Sequence, residues 1–207
     1  MKSALHQFEQ ALHAPSSYPV LINVGLAHAQ FETIHPFLDG NGRMGRLLVT
    51  FLLCEYGILN EPLLYLSIFF KEHRQEYYAR LQAVRDSGEW EPWLAFFLEG
   101  VATVASEATD TAKKIVRLRE QLRADLPTEL GRRSATGLRL LDRLFDQPVV
   151  TVKTVQQMLK VSQPAALGLV NRMQAIGVLE EITGGRRNRI FSFDAYVKLF
   201  QERQRRS

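Results

Sequence analysis

Cysteine is almost absent from this 207-residue chain: Cys54 stands alone, which excludes an intrachain disulfide and a metal site built from thiolates. It lies in an apolar helical run, where a buried, inert thiol is expected. Long hydrophobic runs are missing too. The densest, Leu47 to Tyr56, falls well short of the roughly 18–20 residues a spanning helix needs, so no membrane partner is expected. No charged-then-apolar order of an export signal appears, since Lys2 is followed by the mixed run Ser3-Ala4-Leu5-His6-Gln7. The cytoplasm is the default compartment. Repeats and low-complexity tracts are also lacking.

What is present is an ordinary globular composition, 46% hydrophobic and 23% charged, long enough to bury a core. The charge is unevenly placed. Residues 1–129 hold 12 Lys/Arg against 16 Asp/Glu, whereas residues 130–207 hold 14 against 6. All five histidines lie in the first part. Such a split predicts two units with different partners, the basic one facing nucleic acid, an acidic protein or simply water.

Apolar spacing predicts a helix over 1–13 and another over 20–34, which must stop at His35 because Pro36 follows. A loop, 36–41, leads into an apolar helix over about 42–55, ended by Gly57. Segments 64–87 and 91–124 continue the helical pattern, making 1–126 an all-α core. Residues 127–134 read as a linker. Beyond it, helices at 136–146, 153–160 and 163–176 precede two β-prone runs around Gly184-Gly185. Three helices and a β-hairpin over 135–207 follow the winged-helix plan, so the fold class is mainly α with one small hairpin.

Chemistry concentrates in one contiguous stretch, His35-Pro36-Phe37-Leu38-Asp39-Gly40-Asn41-Gly42-Arg43-Met44-Gly45-Arg46. Gly40 and Gly42 let the backbone approach a ligand. Together with the leading N–H groups of the next helix they predict an anion site. Arg43 and Arg46, three apart, share one side of that helix, where their charge opposes the helix dipole and makes sense against an anion. Asp39 offers a hard oxygen for Mg²⁺, which binds one or two carboxylates plus substrate phosphates. Imidazole titrates near neutrality, so His35 is a candidate base. A lone Asp-Gly-Asn-Gly is usually only a turn and a lone His-Pro usually only a helix stop. The glycine spacing matches neither the P-loop nor the dinucleotide fingerprint.

These twelve residues resemble, without departure, the motif His-Pro-Phe-x-Asp-Gly-Asn-Gly-Arg-x-x-Arg of the Fic/Doc family. The text from Ala27 through Gly100, including Tyr77-Tyr78 and Glu91-Pro92-Trp93, is similar to the helical Fic core. The part after about Ser134 resembles the winged-helix appendage of many bacterial members. The resemblance implies a protein adenylyltransferase that moves AMP from ATP to a Ser, Thr or Tyr hydroxyl of a target protein. It implies His35 as general base and Asp39 as the Mg²⁺ ligand. Gly40, Asn41 and Gly42 would cradle phosphates, with Met44 and Gly45 in the same turn, and Arg43 and Arg46 would grip the β/γ end. Tyr77 and Tyr78 would line the nucleotide pocket. His28 shares the helical face of His35 and reads as a core histidine. Kinases of the family carry lysine where Gly42 stands; glycine favours AMP transfer.

Longer members also have a flap hairpin and a Ser/Thr-x-x-x-Glu-Gly/Asn motif on a regulatory helix, neither found here: Glu99-Gly100 is preceded by Ala95. The chain therefore reads as the C-terminal part of a longer enzyme or a short natural variant. The alternative is a winged-helix DNA-binding regulator with an inactive or truncated Fic part. Arg186, Arg187 and Arg189 at the hairpin favour it. Against it, the third helix offers only Arg172 as a cation, with Gln163, Asn171 and Gln174 as polar groups. Pairing with a second copy of the chain, or docking of the target, is the preferred use of 135–207.

Overall fold

The computed structural model describes residues 2–59, 65–185 and 188–205, with side chains described as far as Phe200. The chain divides into two compact units, residues 1–109 and 110–207. Among the described residues the protein is mainly helical, with one small antiparallel sheet. No helix there is long and apolar enough to cross a membrane.

The first unit holds α1 (Lys2–His13), α2 (Val20–Ile34), α3 (Asn41–Glu55), α4 (Leu66–Glu72), α5 (Arg74–Ser87) and the start of α6 (Trp90–Leu130). Its core gathers Val24, Val49, Leu53, Phe70, Leu81, Trp93 and Phe97. Close approach of helices sets this packing. A Cβ on Gly25 would stand 2.9 Å from Leu94, and the Gly25 carbonyl accepts a hydrogen bond from the Trp93 indole at 2.9 Å. Segment 64–87, expected as one helical stretch, breaks at His73, whose Nδ1 donates back to the Phe69 carbonyl at 3.0 Å while its ring stacks on Phe69.

The second unit contains the end of α6, then α7 (Ser134–Asp146), β1 (Val149–Thr151), α8 (Val152–Leu159), α9 (Gln163–Ala175), β2 (Glu180–Glu181), β3 (Ile190–Ser192) and α10 (Asp194–Arg205). The sheet order is β1-β3-β2, with Val150 opposite Phe191 and Glu180 opposite Ser192. Thr151 and Ser162 accept from backbone N–H groups at the starts of α8 and α9. Residues 127–134, expected as a linker, are helical instead. Pro127 lies inside α6, whose Leu126 and Leu130 are anchored in this unit's core, and a 3-10 turn (Gly131–Arg133) leads straight into α7. Strand β1 and helix α10 join the three helices and the hairpin that the sequence predicts. Of the hairpin arginines, Arg186 and Arg187 lie outside the described residues.

Candidate active site

Helix α2 ends as Pro36 requires. His35 takes a left-handed conformation with φ 50°, its N–H bonding to the Phe31 carbonyl at 3.0 Å. Its ring folds back so that Nδ1 lies 3.4 Å from the Glu32 carbonyl, and Nε2 is the ring nitrogen left without a protein partner among the described residues. Arg85 from α5 donates to that same carbonyl and to Thr33 Oγ1, placing a cation where the α2 dipole is negative.

Five residues on, Gly40 begins α3 at φ 83°, a conformation that suits glycine. No side chain caps α3, so its leading N–H groups stay open to an anion, between the Gly40 N–H, which donates to Asp39 Oδ1 at 2.7 Å, and the Met44 N–H, which donates to the Gly40 carbonyl at 3.0 Å. Asn41 clasps the loop. Its amide oxygen accepts from Phe37 N–H at 2.8 Å and its NH₂ donates to the Phe37 carbonyl at 2.5 Å. The Asn41 side chain thus braces the loop from within, and its backbone N–H stays at the head of α3.

The remaining motif residues divide into outward and inward groups. Asp39 and Arg43 form an exposed pair at 3.4 Å, weak enough for a ligand to open. Arg46 has no hydrogen-bond acceptor or ion-pair partner among the described residues. It borders a cleft of about 320 Å³ with Ser67, Lys71, Arg74, Tyr77 and Tyr78. Gly45 faces inward: a Cβ there would lie 2.4 Å from Glu32 Oε1, and its carbonyl accepts from His28 Nδ1 at 3.0 Å. Gly45 is a close-packing residue between α2 and α3. Met44 presents an exposed side chain, and its N–H is engaged.

Tyr77 and Tyr78 part company. Tyr78 is 55% exposed at the cleft, under the Arg74 guanidinium, whereas Tyr77 is 2% exposed. The Tyr77 hydroxyl donates to His28 Nε2 at 2.9 Å, and burial holds that phenol protonated far above the usual tyrosine range. His28 is fully buried between Phe70 and Trp93, and burial lowers its pKa to about 4. It is therefore neutral, with its proton on Nδ1, and it ties α2, α3 and α5 together as a core histidine.

The sequence reading missed Glu32. It is 5% exposed beneath the loop, and its Oε1 has no hydrogen-bond partner among the described residues. Burial pushes its pKa up, against the opposing charges of His35, Arg46 and Arg85. His28, Glu32 and His35 recur at four and three residues, one face of a helix, and that spacing was the available signal.

Residues 1–53 match the model of the Fic/DOC family. A protein adenylyltransferase Fic from Culex quinquefasciatus is 38% identical over 98 residues, covering 46% of this chain and 18% of that protein. A Fido domain-containing protein from Dictyostelium discoideum is 42% identical over 57 residues, covering 28% of this chain and 39% of its own length. The chain thus spans well under half of these curated relatives. In fold, it is similar over 92% of its length to 54% of a Fic family protein from Desulfovibrio desulfuricans, with a TM-score of 0.51 at 20% identity. Residues 1–53, which include the loop, are thus similar to the Fic/DOC family.

Proposed function

We propose that the loop from His35 to Arg46 and the cleft beside it form a nucleotidyl-transfer site, which moves AMP from ATP to a Ser, Thr or Tyr hydroxyl of a target protein. The observation that carries this reading is one juxtaposition. His35 heads the same loop that leaves N–H groups of α3 and the Arg46 guanidinium open to phosphate.

In the reaction the hydroxyl oxygen attacks the α-phosphorus and its proton passes to His35 Nε2. The bond to the bridging oxygen breaks, and pyrophosphate leaves with Arg43 and Arg46 balancing its charge. Positioning and fixed electrostatics supply most of the rate. Among the described residues no cluster of three or more His, Cys, Asp or Glu could hold a metal, which fits an ion that arrives with the nucleotide. One exposed carboxylate, Asp39, is enough to meet Mg²⁺ already held by phosphates. Tyr78 offers an aromatic face to the base.

The three helices and β1-β3-β2 sheet of the second unit support a winged-helix reading, used for target docking or for pairing two copies. DNA binding is the weaker reading. Arg172 donates both Nε and Nη2 to the Glu129 carbonyl, and Arg189 is held by Glu181 and Asn171.

The test uses ATP labelled at the α-phosphate. His35→Asn, which tolerates the left-handed backbone, should abolish label transfer while leaving circular dichroism unchanged. Transfer at the unaltered rate would defeat the assignment.

A further inference from the structure

Glu32 has no evident reason to be buried. A carboxylate without a donor costs several kcal/mol unless charges offset it, and the surrounding groups are few. From α2 come His28 and His35, from α3 Arg46, and from α5 Tyr77 and Arg85. His28 is neutral and Tyr77 keeps its proton. Arg85 turns to the Glu32 backbone carbonyl rather than to its carboxylate. His35 turns its ring to that carbonyl as well.

Arg46 completes the group. A Cβ built on Gly42 would stand 3.1 Å from Arg46 Nη1 and 3.9 Å from Glu32 Oε1. The two charged ends therefore flank one bare backbone position at the head of α3. On the far side, Gly45 leaves room for the same carboxylate, since any side chain there would strike it.

We propose that Glu32 is a positioning residue of the phosphate site: without direct contact, its buried carboxylate attracts Arg46 across the bare Gly42 position at the head of α3 until phosphate oxygens engage that guanidinium, and Glu32 then takes up a proton from solvent. The proposal rests on reading the loop as a phosphate site. Its logic is electrostatic. Oε1 has no hydrogen-bond partner among the described residues, so nearby cations are what oppose the burial that raises its pKa. A bound polyphosphate neutralises Arg46 and brings its own negative charge close. The carboxylate then favours its protonated form, and by linkage a proton is absorbed with the ligand.

Calorimetry on the full chain with inorganic pyrophosphate, in two buffers of different ionisation enthalpy, reads this uptake directly. The expected result is a fraction of a proton, up to about one, absorbed per pyrophosphate bound below neutral pH. Glu32→Gln keeps the shape and removes the charge. It should abolish uptake and bind pyrophosphate several-fold tighter, because a competing anion is gone. Glu32→Asp should restore part of the uptake, and it keeps the test decisive should the glutamine variant melt early. His35→Asn should retain the uptake. Full uptake in Glu32→Gln, or its loss in His35→Asn, overturns the proposal. So does an absence of pyrophosphate binding by the unaltered chain. Missing AMP transfer with intact uptake would instead overturn the transfer reading alone.

Discussion

Four buried polar or charged side chains occur among the described residues, and three of them, His28, Glu32 and Asn41, stand directly behind the loop of the first unit. The second unit contributes only Ser192, and its core is otherwise aliphatic and aromatic. The cations show the same contrast. Among the described residues, Arg43 at the loop meets only an exposed carboxylate and Arg46 meets no acceptor, whereas Arg172 on α9 and Arg189 just before β3 are each engaged by protein acceptors. Buried polar groups are unfavourable unless something holds them. Where they cluster behind exposed or unpaired cations, the arrangement supports the proposed ligand site; where cations are engaged internally, it supports the fold itself.

The largest effect that sharpens this contrast concerns His28. Unfolded, the imidazole titrates at 6.5; folded, burial holds it at about 4, so the unfolded chain binds the extra proton between those values. Its contribution is complete above pH 6.5, shrinks as pH falls and is gone below about 4, roughly 3 kcal/mol in all. Glu32 runs the other way. Its raised pKa makes the folded state the stronger proton binder above the ordinary carboxyl value, so acid stabilises there. Melting curves from pH 7 to 4 should show His28→Gln flattening the acid loss and Glu32→Gln steepening it. An acid loss unchanged in His28→Gln would break the link between buried polarity and the loop.

A crossed pair of substitutions comes next. Arg46→Ala should weaken Mg²⁺-ATP binding tenfold or more, about 1.5–3 kcal/mol, with the melting point held. Arg189→Ala should do the reverse. It breaks contacts to Glu181, Asn171 and the Phe191 ring, lowering stability by about 1–2 kcal/mol with nucleotide affinity unchanged. Calorimetry beside thermal melts reads both, and equal effects on either readout would dissolve the comparison.

The smallest expected effect is none. The full chain should show no arginine-dependent affinity for duplex DNA at low salt. If a gel-shift titration finds tight binding, replacing Arg186, Arg187 and Arg189 should flatten the salt slope by two to three units, at roughly 0.9 per phosphate contact. That outcome would turn the second unit into a ligand surface as well.

Periodicity and punctuation made α1, α2 and α3 legible, together with the Gly-rich loop between α2 and α3. Strand β1, only three residues long and directly after Pro148, is too short to show alternation and exists because β3 pairs with it. Pro127 looked like a break, yet buried leucines on either side carry α6 through it; tertiary packing outweighed local preference. The division of motif residues could not be read at all. Gly45, Tyr77 and the Asn41 amide turn inward because α2, α3 and α5 converge, and a linear pattern carries no sign of which face converges. Glu32 carried no signal of its burial for the same reason.

The Asn41 clasp also bears on how the protein ages. Asn41-Gly42 is the dipeptide most prone to cyclise and deamidate, a reaction in which the Gly42 nitrogen attacks the Asn41 side-chain carbon. With that amide held at both ends by Phe37 and the backbone wound into α3, the attack geometry is closed. Aspartate can then accumulate at position 41 only in molecules whose loop has come undone. Its slow appearance in stored protein, read by mass spectrometry, is a clock that counts those openings.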